Sequence, residues 1–255
     1  MNVLWVLAHP DPRSLTASLA ADGRRMLTEL GHEVRVRDLH AMRWNPVVDA
    51  ADFDHDPARR LFVGSAAKDA VRRGTLAPEI RAEQEHLRWA DTVVLHFPLW
   101  WHGMPAILKG WVDRVFVNGF AFGVTDPETG ASLRYGDGGL AGRRALVVTG
   151  VGARGAAFGP RGIHGDLDEV LFPVQHGLFW YTGMAPLRPF VVPAADRTTA
   201  GDYAEIRDRL RTRLAALPTE EPVPFRRQDG GDYDDDLVLR PGVAPGRTGI
   251  PAHLR

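Results

Sequence analysis

The chain has 255 residues, of which 44% are hydrophobic and 25% are charged. These fractions are ordinary for a globular chain and exclude a disordered chain, a fibrous repeat and a membrane-spanning protein. The net charge of −1 gives no basic field for nucleic acid, and the absence of cysteine excludes disulfides, thiol nucleophiles and Cys-ligated zinc.

The N-terminal segment carries no recognisable targeting signal. Residues 1–8 lack a cationic start, and their apolar run stops at His9. No apolar stretch approaches the roughly 20 residues that a bilayer-spanning helix requires. We therefore expect a cytoplasmic protein with no membrane insertion.

Short β-rich segments alternate with longer segments of helical spacing. Strands are predicted at residues 3–8, 33–39, 91–97, 144–149 and 187–192, and helices at residues 14–30, 76–89, 104–117, 167–179 and 199–217. This alternation is typical of βαβ units with right-handed crossovers. The predicted fold class is α/β, with one doubly wound parallel sheet of five strands.

Two segments exceed a minimal version of this fold. Residues 41–75 are too long for a simple connection and carry many charges, while residues 218–255 are rich in Pro, Gly and Asp. A segment with so little apolar content buries little surface of its own, so this tail is either mobile or laid along a partner. We assign residues 1–217 to the domain and residues 218–255 to a C-terminal tail.

The loop after the first predicted strand runs from His9 to a helix that begins near Ser14. Unpaired N–H groups and the helix dipole favour an anion at such a helix N-terminus, typically a phosphate. Ser14 and Thr16 can donate hydroxyl hydrogen bonds to it, although both residue types are also common as plain helix caps.

Gly150, Gly152 and Gly155 match the G-x-G-x-x-G pattern directly after a predicted strand. A dinucleotide site also needs a helix to begin at that loop, and Pro160 interrupts it. We therefore expect no separate nicotinamide site here. The glycines would instead let backbone N–H groups approach a flat, electron-rich ligand.

An aromatic loop follows the third predicted strand and contains Trp100, Trp101 and His102. It lies at the carboxyl edge, where doubly wound sheets bind ligands. These side chains can form a wall for a planar aromatic molecule. The alternative is that the tryptophans close the end of the core. In the next predicted helix, Asp113 and Arg114 form either a solvated pair or part of a subunit interface.

Residues 97–116 closely resemble the signature segment of the NAD(P)H:quinone oxidoreductases, the DT-diaphorase-like flavoproteins. The resemblance covers roughly residues 1–217, and further segments match in the same order at residues 6–10, 39–42, 45–46, 119–122 and 162–166. It implies a flavodoxin-like fold with strand order 2-1-3-4-5, a tightly bound flavin, and a homodimer with the active site at the subunit interface. The tail at residues 218–255 would then pack on the partner.

The resemblance also implies roles for individual residues. The flavin-binding set would be His9, Ser14, Leu15, Thr16, Pro98, Leu99, Trp100, Trp101, His102, Thr149, Gly150, Val151 and Gly152. The substrate pocket would be formed by Trp101, Phe122, Phe158, His164 and, from the other subunit, Tyr181. His164 would be catalytic by stabilising the anionic reduced flavin, although it can also be a structural histidine beneath a loop.

The sequence departs from the family pattern at several points. The family's active-site tyrosine appears as Phe158, and a phenyl ring cannot donate a hydrogen bond. His102 replaces a more usual aromatic residue. Residues 125–139 have no clear counterpart, and the tail diverges. These departures leave flavin binding credible and put the identity of the substrate in doubt.

The resulting functional hypothesis is a flavin-dependent NAD(P)H oxidoreductase. Hydride would pass from NAD(P)H to bound FAD, or alternatively FMN, and then by a ping-pong mechanism to a quinone or similar aromatic acceptor. One alternative is an accessory flavoprotein of a potassium-efflux-type transporter, and another is a nitro- or azo-reductase in a biosynthetic pathway. No metal is expected, because the acidic run at residues 232–236 lacks the glycine and glutamate of a calcium loop.

Overall fold

The computed structural model describes all 255 residues and is built around a parallel sheet. The strands, in chain order, are β1 (Asn2–Leu7), β2 (Glu33–Asp38), β3 (Thr92–Pro98), β4 (Val124–Thr125), β5 (Ser132–Leu133), β6 (Arg144–Gly150), β7 (Ala185–Pro186) and β8 (Phe190–Val192). The sheet runs β2-β1-β3-β6, and both β7 and β8 pair with β6 in parallel. The predicted order 2-1-3-4-5 is confirmed, while β4 and β5 form a separate antiparallel pair.

The fifth position of the sheet holds two short strands, so the prediction of one strand over residues 187–192 is wrong in its bounds. β7 pairs with the start of β6 and β8 with its end. Pro189 lies between them and has no N–H to donate to the ladder. A proline is tolerated here because this position is the edge of the sheet.

The helices, in chain order, are α1 (Leu15–Glu29), α2 (Val63–Arg73), α3 (Pro78–Trp89), α4 (Ala106–Val115), α5 (Leu167–Val170), α6 (Phe172–Val174) and α7 (Ala200–Ala216). α1, α3, α4 and α7 confirm four predicted helices. The single helix predicted over residues 167–179 is wrong. It breaks into α5, α6 and a π-type turn at Gln175–Trp180, because Pro173 cannot continue the hydrogen-bond ladder of α5.

The two faces of the sheet bury separate hydrophobic cores. α1 and α7 cover one face, where Trp5 of β1 is fully buried against Gly23 of α1. A side chain at Gly23 would overlap the indole ring. α3 and α4 cover the other face, around Phe97 and Trp111. With both faces covered, the sheet exposes only its edges and the ends of its strands, and the carboxyl ends are where doubly wound sheets bind ligands.

The guanidinium of Arg114 is buried within the chain and anchors α4. Both predictions for Arg114, a solvated pair with Asp113 and a place in a subunit interface, are therefore wrong. Arg114 is 3% exposed and forms a bidentate pair with the buried carboxylate of Asp52. It also contacts Glu79 and donates to the carbonyl of Asn45. Asp113 pairs with Lys109 one turn away. Arg114 is therefore a structural anchor of the helix that follows the aromatic loop.

The C-terminal tail contacts its own domain. Phe225 is buried, the N–H of Val223 donates to the carbonyl of Pro186 at 2.8 Å, and Trp180 Nε1 donates to the carbonyl of Arg226 at 3.0 Å. Packing of the tail on a partner subunit stays a prediction. No helix in the chain has the length and apolarity needed to cross a bilayer.

Candidate active site

A cleft of about 530 Å³ opens at the carboxyl ends of β1, β3 and β6. Ten of the thirteen predicted flavin-binding residues line it, namely His9, Ser14, Leu15, Thr16, Pro98, Leu99, Trp100, Trp101, Gly150 and Gly152. His102, Thr149 and Val151 do not. The cleft therefore brings together three loops that are distant in sequence, as the topology of a doubly wound sheet requires.

The N-terminus of α1 forms one wall of the cleft. The Ser14 side chain accepts the N–H of Ala17 at 3.1 Å and caps the helix, while the N–H groups of Leu15 and Thr16 have no partner in the chain. His9 Nδ1 lies 3.1 Å from the backbone nitrogen of Asp11 and 3.2 Å from its carbonyl oxygen. These donors and the positive end of the helix dipole suit an anionic group.

The aromatic loop forms the opposite wall. The backbones of Trp100 and Gly103 exchange hydrogen bonds of 3.1 and 3.0 Å, so the loop reverses sharply. Trp101 and His102 have φ values of +51° and +56°, a left-handed conformation that costs about 1–3 kcal/mol at each residue and is concentrated at functional sites. Trp101 is fully exposed, so its side chain does not close the core.

The end of β6 supplies fewer free donors than the sequence predicts. The N–H of Val151 donates to the carbonyl of Val192 at 2.9 Å, and Thr149 is completely buried within the sheet. The N–H of Gly152 has no partner in the chain. Of the residues just after the strand, Gly152 is therefore the one whose backbone is available to a ligand.

Sequence reasoning missed Ala195 and Asp196, which complete the lining of the cleft. Their loop follows β8 and lies so close to β6 that a Cβ at Gly150 would be 3.1 Å from Ala195 Cβ, and one at Gly152 would be 2.9 Å from Asp196 Oδ2. The topology offered a usable signal, because all loops after the strands of a parallel sheet converge at one edge. Asp196 is the one carboxylate in the lining.

The segment from Gly162 to Asp166 folds as a compact loop that carries His164. A Cβ at Gly162 would overlap the carbonyl of Ala157, and the N–H of His164 donates to that same carbonyl at 3.1 Å. Gly165 has a φ of +79°, which favours glycine. The Asp166 side chain then caps α5. Both glycines and the aspartate are needed for the backbone path, and they fix the position of His164.

His164 lies in a group of three rings beside the aromatic loop. Its ring stacks on Phe158 with centroids 4.8 Å apart, and the ring of His102 lies 5.5 Å from His164. Trp101 lines the cleft, and the remaining two predicted substrate residues, Phe122 and Tyr181, have ring centroids 6.2 Å apart in a separate aromatic group. No ring contact joins the two groups within one chain, so a single chain does not assemble the predicted substrate pocket.

A buried histidine that the sequence analysis did not single out lies on β3 next to the cleft. Trp5 Nε1 donates to His96 Nδ1 at 3.3 Å. Burial lowers the pKa of His96 to about 3, with a smaller contribution from the nearby His9. His96 is therefore neutral at physiological pH and adds no fixed charge beneath the cleft.

Comparison with known families agrees with this fold. A family model described as having a flavodoxin-like fold matches residues 1–214. Because that match spans most of the chain, the chain belongs to the flavodoxin-like family.

Individual relatives show which members of the flavodoxin-like family the chain resembles. A ribosyldihydronicotinamide dehydrogenase-like protein of Penicillium crustosum is 41% identical over 237 residues, which are 91% of this chain and 87% of that protein. NAD(P)H dehydrogenase (quinone) 1 of Rattus norvegicus is 33% identical over 88% of this chain and 80% of its own length. A Klebsiella pneumoniae crystal structure, provisionally described as a quinone reductase, is 45% identical with a TM-score of 0.96 over 100% of both chains. The predicted resemblance to NAD(P)H:quinone oxidoreductases is confirmed, and so is the prediction of an oxidoreductase enzyme.

Proposed function

We propose that the chain is a flavin-dependent NAD(P)H oxidoreductase that reduces a quinone or a similar aromatic acceptor. The cleft carries this proposal, because ten predicted flavin-binding residues from three separate loops line it. Relatives that are 33–45% identical over most of the chain are named as quinone-linked dehydrogenases or reductases. The proposed reaction is of the same class.

The donors in the cleft suit a flavin at both of its polar ends. The free N–H groups of Leu15 and Thr16 would hold the phosphate-bearing tail at the positive end of α1. The N–H of Gly152 would face the pyrimidine edge of the ring system, and Trp101 would pack against its plane. A bound flavin supplies the hydride chemistry that no side chain of the protein can supply. We expect FAD, with FMN as the alternative.

His164 is the proposed catalytic residue. Its backbone is fixed by Ala157, and Phe158 lies against its ring. Phe158 cannot donate a hydrogen bond, so the imidazole is the proton-holding group in this pair of rings. His164 would hold a proton close to developing negative charge on a bound flavin, where a positioned donor contributes most.

The proposed active form is a homodimer with its sites at the subunit interface. Trp101 and Ile163 are 102% and 92% exposed, and each is next in sequence to one of the contacting rings of His102 and His164. Large apolar side chains exposed on neighbouring segments favour an interface. Tyr181 of a partner would then complete the pocket that Trp101 and His164 begin. The tail would extend the same interface. We place the protein in the cytoplasm.

The mechanism we propose is ping-pong. The same residues line the whole cleft. The G-x-G-x-x-G segment at Gly150–Gly155 leads into a short turn, whereas a separate dinucleotide site would need a helix at this point. NAD(P)H and the acceptor would therefore use the same slot beside Trp101 in turn. Initial rates measured over a matrix of NADPH and quinone concentrations would give parallel lines in a double-reciprocal plot. Intersecting lines would contradict a shared slot.

Flavin content tests the cofactor assignment. Flavin released from the denatured protein is identified by chromatography as FAD or FMN. The variant Gly152→Ala is then compared with Gly177→Ala, whose added methyl group meets nothing within 4 Å. We expect Gly152→Ala to weaken flavin binding about tenfold, because the methyl group enters the cleft wall. Equal flavin affinity in the two variants would show that the flavin does not contact Gly152. Absence of bound flavin after reconstitution would refute the cofactor assignment.

A further inference from the structure

A second cavity, of about 140 Å³, lies between the C-terminal tail and the domain. Tyr135 and His176 supply its lining from the domain, and five residues of the tail supply the rest. None of the residues that line the flavin cleft line this cavity. Within one chain it is therefore distinct from the flavin cleft, and its Tyr135 ring lies 5.1 Å from the ring of Tyr181.

The cavity lies where the tail meets the segment of residues 125–139 and the π-type turn that carries His176. Tyr135 belongs to residues 125–139, and the tail begins at residue 218. The tail reaches the domain where the Gln228 N–H donates to the carbonyl of Tyr135 at 3.4 Å, and within the tail the Arg226 N–H donates to the carbonyl of His253 at 2.9 Å. These contacts hold the tail along one side of the cavity.

Aromatic rings surround the cavity. The ring of Tyr135 lies 5.0 Å from that of His176, and His176 lies 6.0 Å from His253. Tyr233 stacks on His253 with an interplanar angle of 12°, and its hydroxyl lies 2.9 Å from His253 Nδ1. A volume near 150 Å³ is that of a protein cavity known to hold one benzene molecule. The space is therefore the size of a single aromatic ring.

Three of the lining residues carry a hydrogen-bond donor that has no partner in the chain. Arg226 uses Nε and Nη1 on the carbonyl of Ala252 and on Asp232, and its Nη2 makes no hydrogen bond in the chain. Gln228 accepts from Arg134 through Oε1 and leaves its amide nitrogen unused. The hydroxyl of Tyr135 also has no partner. Because no carboxylate lines the cavity, the donors favour an anionic oxygen acceptor.

Backbone strain is present at two of the lining residues. Tyr135 and Leu237 have φ values of +53° and +62°, a conformation that bulky side chains rarely adopt. Glycine would remove the strain at either position, yet both positions carry side chains that face the cavity. Strain of this kind persists where the surrounding structure holds a site in place.

We propose that this cavity is a binding site for a single-ring aromatic carboxylate. The rings of Tyr135, His176 and Tyr233 would enclose the aromatic ring, and the carboxylate would accept from Arg226 Nη2 and the amide of Gln228. The assignment does not depend on flavin chemistry.

Calorimetric titration of the flavin-loaded protein with 4-hydroxybenzoate tests the site. We expect one molecule to bind per chain. Phenol lacks the carboxylate and cyclohexanecarboxylate lacks the aromatic ring, so each should bind at least tenfold more weakly, which corresponds to about 1.4 kcal/mol. Absence of saturable binding at millimolar concentrations, or equal binding of cyclohexanecarboxylate, would overturn the proposal.

Conservative variants locate the bound molecule. Tyr135→Phe and Gln228→Glu keep the shape of the cavity and remove one donor each, glutamate retaining an oxygen that accepts from Arg134, and the double variant should lose at least tenfold in affinity. Circular dichroism of the double variant checks that the tail remains folded. Gly152→Ala, in the flavin cleft, should bind 4-hydroxybenzoate like the unchanged protein. Loss of binding in Gly152→Ala, or full binding by the folded double variant, would place the molecule elsewhere and overturn the proposal.

Discussion

Arg114 offers a sharp test of the packing that supports the active site. The substitution Arg114→Met removes a guanidinium that is 3% exposed and leaves Asp52, its partner at 2.5 Å, buried without a counter-charge. An uncompensated buried charge destabilises a protein by about 3–5 kcal/mol. The contact with Glu79 adds little, because that carboxylate is half exposed. We therefore expect a loss of about 3–5 kcal/mol, or roughly 6–20 °C in Tm.

The double variant Arg114→Met/Asp52→Asn distinguishes the stability lost to an unpaired buried charge from the stability lost with the contacts of Arg114. Asparagine keeps an oxygen for the N–H of Asp49, which now donates to Asp52 at 3.3 Å, and it removes the unpaired charge. Urea unfolding followed by circular dichroism should show the double variant to be more stable than Arg114→Met. A single variant that loses less than about 1 kcal/mol, or a double variant that is less stable than the single one, would refute the reasoning.

Three further predictions address the site and its surroundings. Burial lowers the pKa of His96 to about 3 in the folded protein, against the ordinary value of about 6.5 in the unfolded chain. The stability that depends on a neutral His96 is therefore complete above pH 6.5. It is lost as the pH falls towards 3, by up to about 1.4 kcal/mol per pH unit. Urea unfolding at pH 7 and pH 5 should therefore show a smaller pH effect in His96→Gln, and an unchanged effect would contradict the assignment. His164→Ala should slow reduction of the bound flavin by NADPH about 100-fold or more in stopped-flow measurements; an unchanged rate would make His164 structural. Ser14→Ala should cost about 1 kcal/mol in unfolding free energy through the lost cap on Ala17 and should weaken flavin binding, whereas a loss of stability with unchanged flavin affinity would show that Ser14 is only a cap.

The sheet and most of its helices were predictable because their signals are local. Alternation of buried strands with amphipathic segments gave the order of elements, and caps such as Ser14 marked where α1 begins. One exception is α2, a helix that was not predicted within residues 41–75, and two others occur at prolines. Pro189 divides the edge strand and Pro173 divides the helix predicted over residues 167–179, and in both places hydrophobic periodicity continues across the break.

The walls of the cleft were predictable in part, because the loops after parallel strands meet at one edge. What sequence alone did not provide is which backbone groups remain free. Val151 donates within the sheet and Gly152 does not, and that difference depends on the register between β6 and β8. Asp196 was missed because it is an isolated acidic residue after a short strand and belongs to no recognisable sequence motif. Arg114 was misjudged because its partner, Asp52, is 62 residues away in sequence.

The central claim is that the cleft holds a flavin that accepts hydride from NAD(P)H and passes it to an aromatic acceptor. The most direct measurement is an absorption spectrum of the purified protein under anaerobic conditions, followed first by NADPH and then by a quinone. We expect a flavin band that bleaches with one equivalent of NADPH and returns with one equivalent of quinone. A bound flavin that NAD(P)H does not bleach would contradict the reductase mechanism.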